Sequence, residues 1–450
     1  MKHFKRAVWQ LMMIILPGIL GGSLLAQNNV RTMTLSQALD VALQKNPVLR
    51  ASDWQKVAAR KKVWEARSGF LPRINLVGTY TRYQEPMIIT PIHKVGQFPP
   101  LDDKIFNSQF QVQLPIFNGG RTLAAHKAAK AGLAESGAQG EFVKVRVIQN
   151  MANIFLQAKE VSDKRHLIAQ RLRMLRQRHR ELSLLQREGR VSEADFALMN
   201  ASLQSAISDS LELESAWRQL SVRLGQVMGV KQPVVPDVSD LSGAQTPLMQ
   251  MELLPDTTNL AERMQGPEIK KAKAQLMRAS AMKSLAKRSF LPEISGFYVY
   301  NYNSSANEWD PIGEWAVGVT MRFPLFDGGR RIANVGAASA SEKAAAASLD
   351  NTVLEQKASL EIAFMQWKTA RQRRQFLTLA VESKQKYVEA NRKLYKEGRI
   401  PLSELLTQET ELLALQIQEK ELRYAEQKAL LDYHALLGNL NTEKVKKILQ

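Results

Sequence analysis

Two hydrophobic patterns alternate along this chain. Gln109, Gln111 and Gln113 interleave with Phe110, Val112 and Leu114, and Trp315, Val317, Val319, Met321 and Phe323 interleave with Glu314, Ala316, Gly318, Thr320 and Arg322. Period-two patterning of this kind predicts strands with one apolar and one polar face. Arg73–Tyr83 and Glu293–Tyr302 alternate more loosely and carry Tyr80, Tyr83, Tyr298, Tyr300 and Tyr302. Elsewhere the spacing is helical. Met151, Ile154, Ala158 and Val161, and likewise Leu360, Ala363, Trp367 and Ala370, recur at 3-4-3 intervals, the seam of a coiled coil. Arg121–Glu188 and Arg330–Glu397 each run 68 residues without a proline. Such helices would be ~100 Å long and stable only with lateral support.

The patterns occur twice because the chain repeats itself. Ser68-Gly69-Phe70-Leu71-Pro72 is echoed by Arg288-Ser289-Phe290-Leu291-Pro292, and Asn46-Pro47 by Gly266-Pro267, both at an offset of 220. Leu114-Pro115-Ile116-Phe117-Asn118-Gly119-Gly120-Arg121 matches Phe323-Pro324-Leu325-Phe326-Asp327-Gly328-Gly329-Arg330 at an offset of 209. Glu188-Gly189-Arg190 matches Glu397-Gly398-Arg399, and Gly229 matches Gly438, again at 209. The 11-residue change of offset falls between the strands of each copy, in a loop. Each copy therefore reads as short helix, strand, loop, strand, very long helix, tight turn and long helix. Pro115, Gly119, Gly120, Pro324, Gly328 and Gly329 are expected in the strand-to-helix turns. Gly189 and Gly398 end the long helices, and Ser192 and Ser403 are candidate caps for the next ones.

The boundaries follow: 27–229 for the first repeat, 230–262 for a linker, 263–438 for the second repeat and 439–450 for a tail. Residues 1–26 read as a signal peptide, with Lys2, Lys5 and Arg6 before an apolar stretch and cleavage after Ala26. Tilted, tyrosine-rich strands of about 9–11 residues suit an outer-membrane barrel. Four strands cannot close one, and an open sheet edge is not tolerated in lipid. The chain must therefore oligomerise, to eight strands as a dimer or twelve as a trimer. On this reading Val317 faces lipid and Gly318 the lumen, so arginine should be costly at the first and cheap at the second. Residues 84–105 should form an outer loop.

Composition narrows the chemistry. The chain has 450 residues, no cysteine and a net charge of +19, or +16 once residues 1–26 are removed. Disulfides, thiolate metal sites and cysteine nucleophiles are excluded. His93, His126, His166, His179 and His434 are scattered, with no metal-ligand spacing, so no cofactor is expected and no catalytic constellation emerges. Lys164, Arg165, Arg171, Arg173, Arg176, Arg178 and Arg180 are distributed around a helix without interleaved aromatics. This reads as a solvated coiled-coil surface, not a nucleic-acid site. The competing architecture is an exported coiled-coil scaffold or adhesin, which leaves the four strands unexplained.

Thr34-Leu35-Ser36-Gln37-Ala38-Leu39 running to Asn46-Pro47, the paired Phe-Leu-Pro landmarks and the paired Gly-Gly-Arg turns resemble the TolC family of outer-membrane efflux channels. The resemblance covers roughly residues 30–440. It implies an α+β membrane protein, a homotrimer whose twelve-stranded β-barrel continues into a long periplasmic α-helical tunnel. It further implies docking to a periplasmic adaptor at the turns Gly189, Arg190, Gly398 and Arg399, and an inner-membrane transporter that supplies energy. The family's tunnel closes at this tip. Asp195, Tyr395 and Glu404 match its gate positions, while Ile400 stands where a basic partner is expected and Arg399 lies one place early.

Overall fold

The computed structural model describes residues 31–89, 95–96, 98–241, 266–305 and 312–449. The signal peptide and most of the 230–262 linker lie outside the described residues. The first repeat comprises β1 (Thr32–Met33), α1 (Leu35–Lys45), α2 (Pro47–Ser68), β2 (Arg73–Ile88), β3 (Leu101–Phe117), α3 (Arg121–Arg187) and α4 (Glu193–Met228). After β4 (Val235–Pro236), the second comprises α5 (Pro267–Lys287), β5 (Glu293–Ser305), β6 (Ile312–Arg322), α6 (Arg330–Lys396) and α7 (Leu402–Leu436); α8 (Thr442–Leu449) ends the chain.

The two long helices have 67 residues each and are flanked by pairs of shorter ones end to end. The repeated landmarks make those junctions. Asn46 caps α2, its Oδ1 accepting from Val48 N at 2.8 Å and Leu49 N at 3.1 Å, while its Nδ2 donates to Val227 O near the end of α4 at 2.7 Å. Gly229 has φ 72°, and a Cβ there would lie 2.5 Å from Lys45 O. Only glycine allows the end of α4 to meet the start of α2 so closely. Gly266 meets Leu436 O in the same way where α5 abuts α7. The seam residues Met151, Ile154, Ala158, Leu360, Ala363 and Trp367 are buried in one large core at this level. Residues 440–449 of the segment 439–450, read as a tail, join that core: Leu440, and Val445, Ile448 and Leu449 of α8, are buried. Beside them β1 and β4 form a two-stranded parallel sheet that residue patterning missed, being two residues long each.

The four long strands form one antiparallel sheet in the order β2-β3-β5-β6. Leu76 pairs with Phe110, and at the equivalent positions Gly296 pairs with Val319, so the two hairpins share one register. Because paired residues share a face, Leu76, Phe110, Val112, Leu114, Tyr298, Tyr300, Trp315, Val317, Val319 and Met321 lie on one side. Asn75, Gln109, Gln111, Gln113, Ser295, Asn301 and Thr320 lie on the other, with Val77, Phe297 and Val299 among them. Gln109 Nε2 donates to Asn301 Oδ1 at 2.9 Å. β2 and β6 have no partner beyond the sheet among the described residues, so both edges are open.

Three expectations need correction. The strands of the first hairpin run to 16 and 17 residues, so 84–88 and 101–105 are strand, not loop; 90–94 and 97 lie outside the described residues. Pro115 belongs to β3, beside a bulge before Phe117, and the turn proper is Asn118-Gly119-Gly120. Gly318 is not an easy site for arginine, since a Cβ there would sit 2.8 Å from the Phe297 ring packed over it from β5.

Candidate functional site: the helix turns at the tip

At the far end of the helices both hairpins turn in the same way. Gly189 and Gly398 have φ 70° and 68°, the left-handed conformation that ends a helix at glycine. Arg190 N donates to Leu185 O at 2.8 Å, and Arg399 N to Leu394 O at 2.9 Å, closing equivalent caps. Arg190 pairs with Glu188 at 3.5 Å and Arg399 with Glu397 at 3.2 Å, all four side chains exposed. The restarts differ. Ser192 caps α4, its Oγ accepting from Asp195 N at 3.0 Å and donating to Asp195 Oδ2 at 2.7 Å. In the second repeat Pro401 occupies the cap, and Ser403 lies inside α7 without capping it.

The predicted gate residues occupy one end of the molecule but do not all touch. Within one chain the Asp195 carboxylate is engaged by Ser192. Tyr395 packs on the tip core of Leu182, Met199, Leu402 and Leu406, with the Arg178 guanidinium 5.9 Å from its ring centroid. Burial pushes the Tyr395 phenol pKa up, the Arg178 charge opposes this, and Asp195 and Glu181 add to it. Glu404 is exposed in the first turn of α7, where a carboxylate complements the helix dipole.

The group that residue patterning missed is Glu409. Its side chain is only 6 % exposed, yet it is charged. Arg178 of α3 grips it with both nitrogens, at 2.9 and 3.2 Å, and Arg392 Nε of α6 donates to it at 2.8 Å. Burial alone would raise the Glu409 pKa, but the two arginines outweigh it and hold the carboxyl below its ordinary value. The signal was available: Glu409 falls at apolar spacing between Leu405 and Leu412. The basic run is accordingly not one solvated surface. Lys164 pairs with Glu160 and Glu421, Arg165 with Glu214, and Arg171 donates to Thr410 Oγ1 at 2.9 Å. Arg173, Arg176 and Arg180 are the exposed members.

At the other end, the strand-to-helix turns differ in their surroundings. Gly119 and Gly120 are covered by the loop before β5, where an added Cβ would meet Leu291 and Arg288 at 2.3 Å. A Cβ added at Gly328 or Gly329 would meet nothing described within 4 Å beyond its own chain neighbours and helix backbone.

A family model described as "Outer membrane efflux protein" matches residues 38–230 and 261–439. The chain is 25 % identical over 350 residues to Protein CyaE of Bordetella pertussis, covering 75 % of this chain and 70 % of that protein. Its fold is similar to the CmeC outer membrane channel of Campylobacter jejuni, with TM-score 0.75 at 18 % identity, covering 92 % of this chain and 90 % of that one. It is also similar to the open state of the MtrE outer membrane channel of Neisseria gonorrhoeae, with TM-score 0.72 at 19 % identity over 90 % and 88 % of the two chains.

Proposed function

Since the chain belongs to the outer membrane efflux protein family, we propose that three copies close a twelve-stranded barrel over a twelve-helix periplasmic tunnel. The protein is a passive outer-membrane duct for efflux or secretion. An inner-membrane transporter energises it through a periplasmic adaptor, which docks at the turns around Gly189, Arg190, Gly398 and Arg399. The apolar sheet face carrying Trp315, Val317 and Val319 meets lipid. The face carrying Gln109, Gln111, Gln113 and Thr320 lines the lumen. In the closed state Tyr395 bonds to Asp195 of a neighbouring hairpin, with Arg399 and Glu404 nearby.

One observation carries the assembly. At the turns and at the sheet edges, what the first repeat receives from the second has an empty counterpart on the second. Leu291 covers the turn at Gly119, while a Cβ added at Gly328, in the equivalent turn, meets nothing described within 4 Å. The sheet edges follow the same rule: β3 pairs with β5, but β6 and β2 are unpaired among the described residues. A head-to-tail arrangement repeated around an axis fills each vacancy and leaves no edge in lipid. The repeat also supplies the register. Phe110 pairs with Tyr300 and Val112 with Tyr298, so Val319 should pair with Tyr80, and Met321 with Gly78, of the next copy.

The test uses the absence of native cysteine. Val319→Cys combined with Tyr80→Cys should give covalent dimers and trimers in non-reducing gels of boiled outer membranes. Each single variant should give monomers. Pairs shifted by two residues that crosslink as well, or a double variant that stays monomeric with normal conductance, would refute this closure.

A further inference from the structure

The groove between α2 and α3, just below the sheet, carries a set of cations that the duct itself does not employ. Arg60, Trp64 and Arg67 share one face of α2 at i, i+4 and i+7, and Leu123, Lys127 and Lys130 share one face of α3 at the same spacing. Arg60, Lys61, Trp64 and Arg67 line a groove of about 740 Å³ with His126 and Lys130. Trp64 is 63 % exposed, and the Arg67 guanidinium lies 5.8 Å from its ring centroid. Among the described residues none of these cations makes an ion pair, and the buried Nδ1 of His126 has no hydrogen-bond partner. Of the neighbouring carboxylates, Glu135 is bound to Arg278 at 2.9 Å, and Glu65 stands at i+4 from Lys61 but about 140° around α2 from Arg60.

Its height indicates what it meets. Phe70, Leu71 and Leu123, exposed and apolar, stand between the sheet and the groove and extend the sheet's apolar band downward. The groove therefore opens where hydrocarbon gives way to headgroups, the level at which tryptophan and basic side chains anchor. The groove is also left uncovered by the next copy. Arg278 of α5 packs toward α3, so its equivalent, Ala58, marks the face of α2 that meets the next copy. Arg60, Trp64 and Arg67 lie about 180–240° from that face, on the side turned toward α3. A general girdle would recur in both repeats. Here the positions equivalent to Arg60, Trp64, Lys127 and Lys130 are Ser280, Ser284, Gly336 and Ser339, and only Arg67 has a basic equivalent, Lys287. The set is one discrete site per chain.

We infer that this groove binds an anionic phospholipid of the periplasmic leaflet, its phosphate held by Arg60, Arg67 and Lys130 and its glycerol region packed on Trp64. The inference rests on the chain standing in the outer membrane as proposed above. Native mass spectrometry of the full-length trimer, given phosphatidylglycerol or phosphatidylcholine of equal chain length, tests it. Wild type should retain up to three phosphatidylglycerols per trimer, about tenfold more than phosphatidylcholine. Arg60→Glu with Lys130→Glu should abolish that preference while trimer mass and single-channel conductance stay unchanged; Arg60→Lys should keep it. Equal retention of the two lipids by wild type, or an undiminished preference in the charge-reversed variant, would overturn the site. So would charge-sensitive binding of inorganic phosphate without lipid. A wild-type protein that forms no conducting trimer would count against the duct instead, which keeps the two failures apart.

Discussion

Glu409 occupies a position in α7 that helical spacing reserves for an apolar side chain, and it is charged because α3 and α6 each bring it an arginine. Removing one member of a buried ion cluster leaves the others uncompensated. Glu409→Ala should therefore destabilise by about 3–5 kcal/mol, read as a lower thermal midpoint of the purified protein. Replacing all three, Arg178→Met, Glu409→Leu and Arg392→Met, should recover most of it. The pH dependence has a definite sign. The folded pKa lies below the ordinary 4.5, so the cluster's contribution is complete above 4.5 and is lost as pH falls through the lower folded value. His434 acts over a different window. Burial first, then the Lys444 charge, lowers its pKa to about 4 despite a hydrogen bond with Asn439, so it folds neutral. Its contribution is present above the ordinary 6.5 and declines between 6.5 and 4. His434→Asn should flatten thermal stability across that interval, and an unchanged slope would exclude this histidine as its cause.

At the scale of elements, the strands are specified by their two faces and the long helices by their neighbours. Val317→Arg places a charge on the apolar face and should cost ~2–4 kcal/mol near mid-membrane. Thr320→Arg is the proper comparison, since its position lies on the polar face, opposite Ser295, whereas Gly318 is covered by Phe297. Yields of heat-resistant trimer in outer membranes should fall for the first and hold for the second; equal losses would sink the face assignment. The helices carry no comparable one-sided pattern along their full length because each changes neighbours midway. α3 runs beside α2 and α5, then beside α4 and α7, so its apolar stripe must shift with them.

At the scale of the whole molecule, the tip is where modest energies have large effects. The proposed contact of Tyr395 with Asp195 of a neighbouring hairpin would contribute only ~0.5–1.5 kcal/mol. In the proposed trimer three copies would act together, so an adaptor's differential binding would have to break several at once. Tyr395→Phe with Asp195→Ala should raise single-channel conductance in planar bilayers and admit large antibiotics. An unchanged conductance in a well-folded trimer would move closure elsewhere, with Glu404 next to be tested. The contacts that join the two repeats of one chain, Arg178 to Glu409 and Lys164 to Glu421, belong to the same balance, because any opening of one hairpin against the other must respect them.

Much of this architecture is legible in residues alone. Period-two patterning marked the strands, proline-free stretches marked the helices, and glycines at constant offsets marked both kinds of turn, because those features depend on local backbone geometry. The same offsets carry the register from one hairpin to the other, as the pairs Leu76–Phe110 and Gly296–Val319 demonstrate. Tertiary structure alone decided where the charges go. Arg173 and Arg178 look alike in a basic run, yet one is exposed and the other closes on Glu409, 231 residues away. It also decided that Leu291 fills the space a Cβ would take at Gly119 while the same space at Gly328 stays open. Both depend on which elements lie side by side, and no spacing within a single helix or strand contains that information.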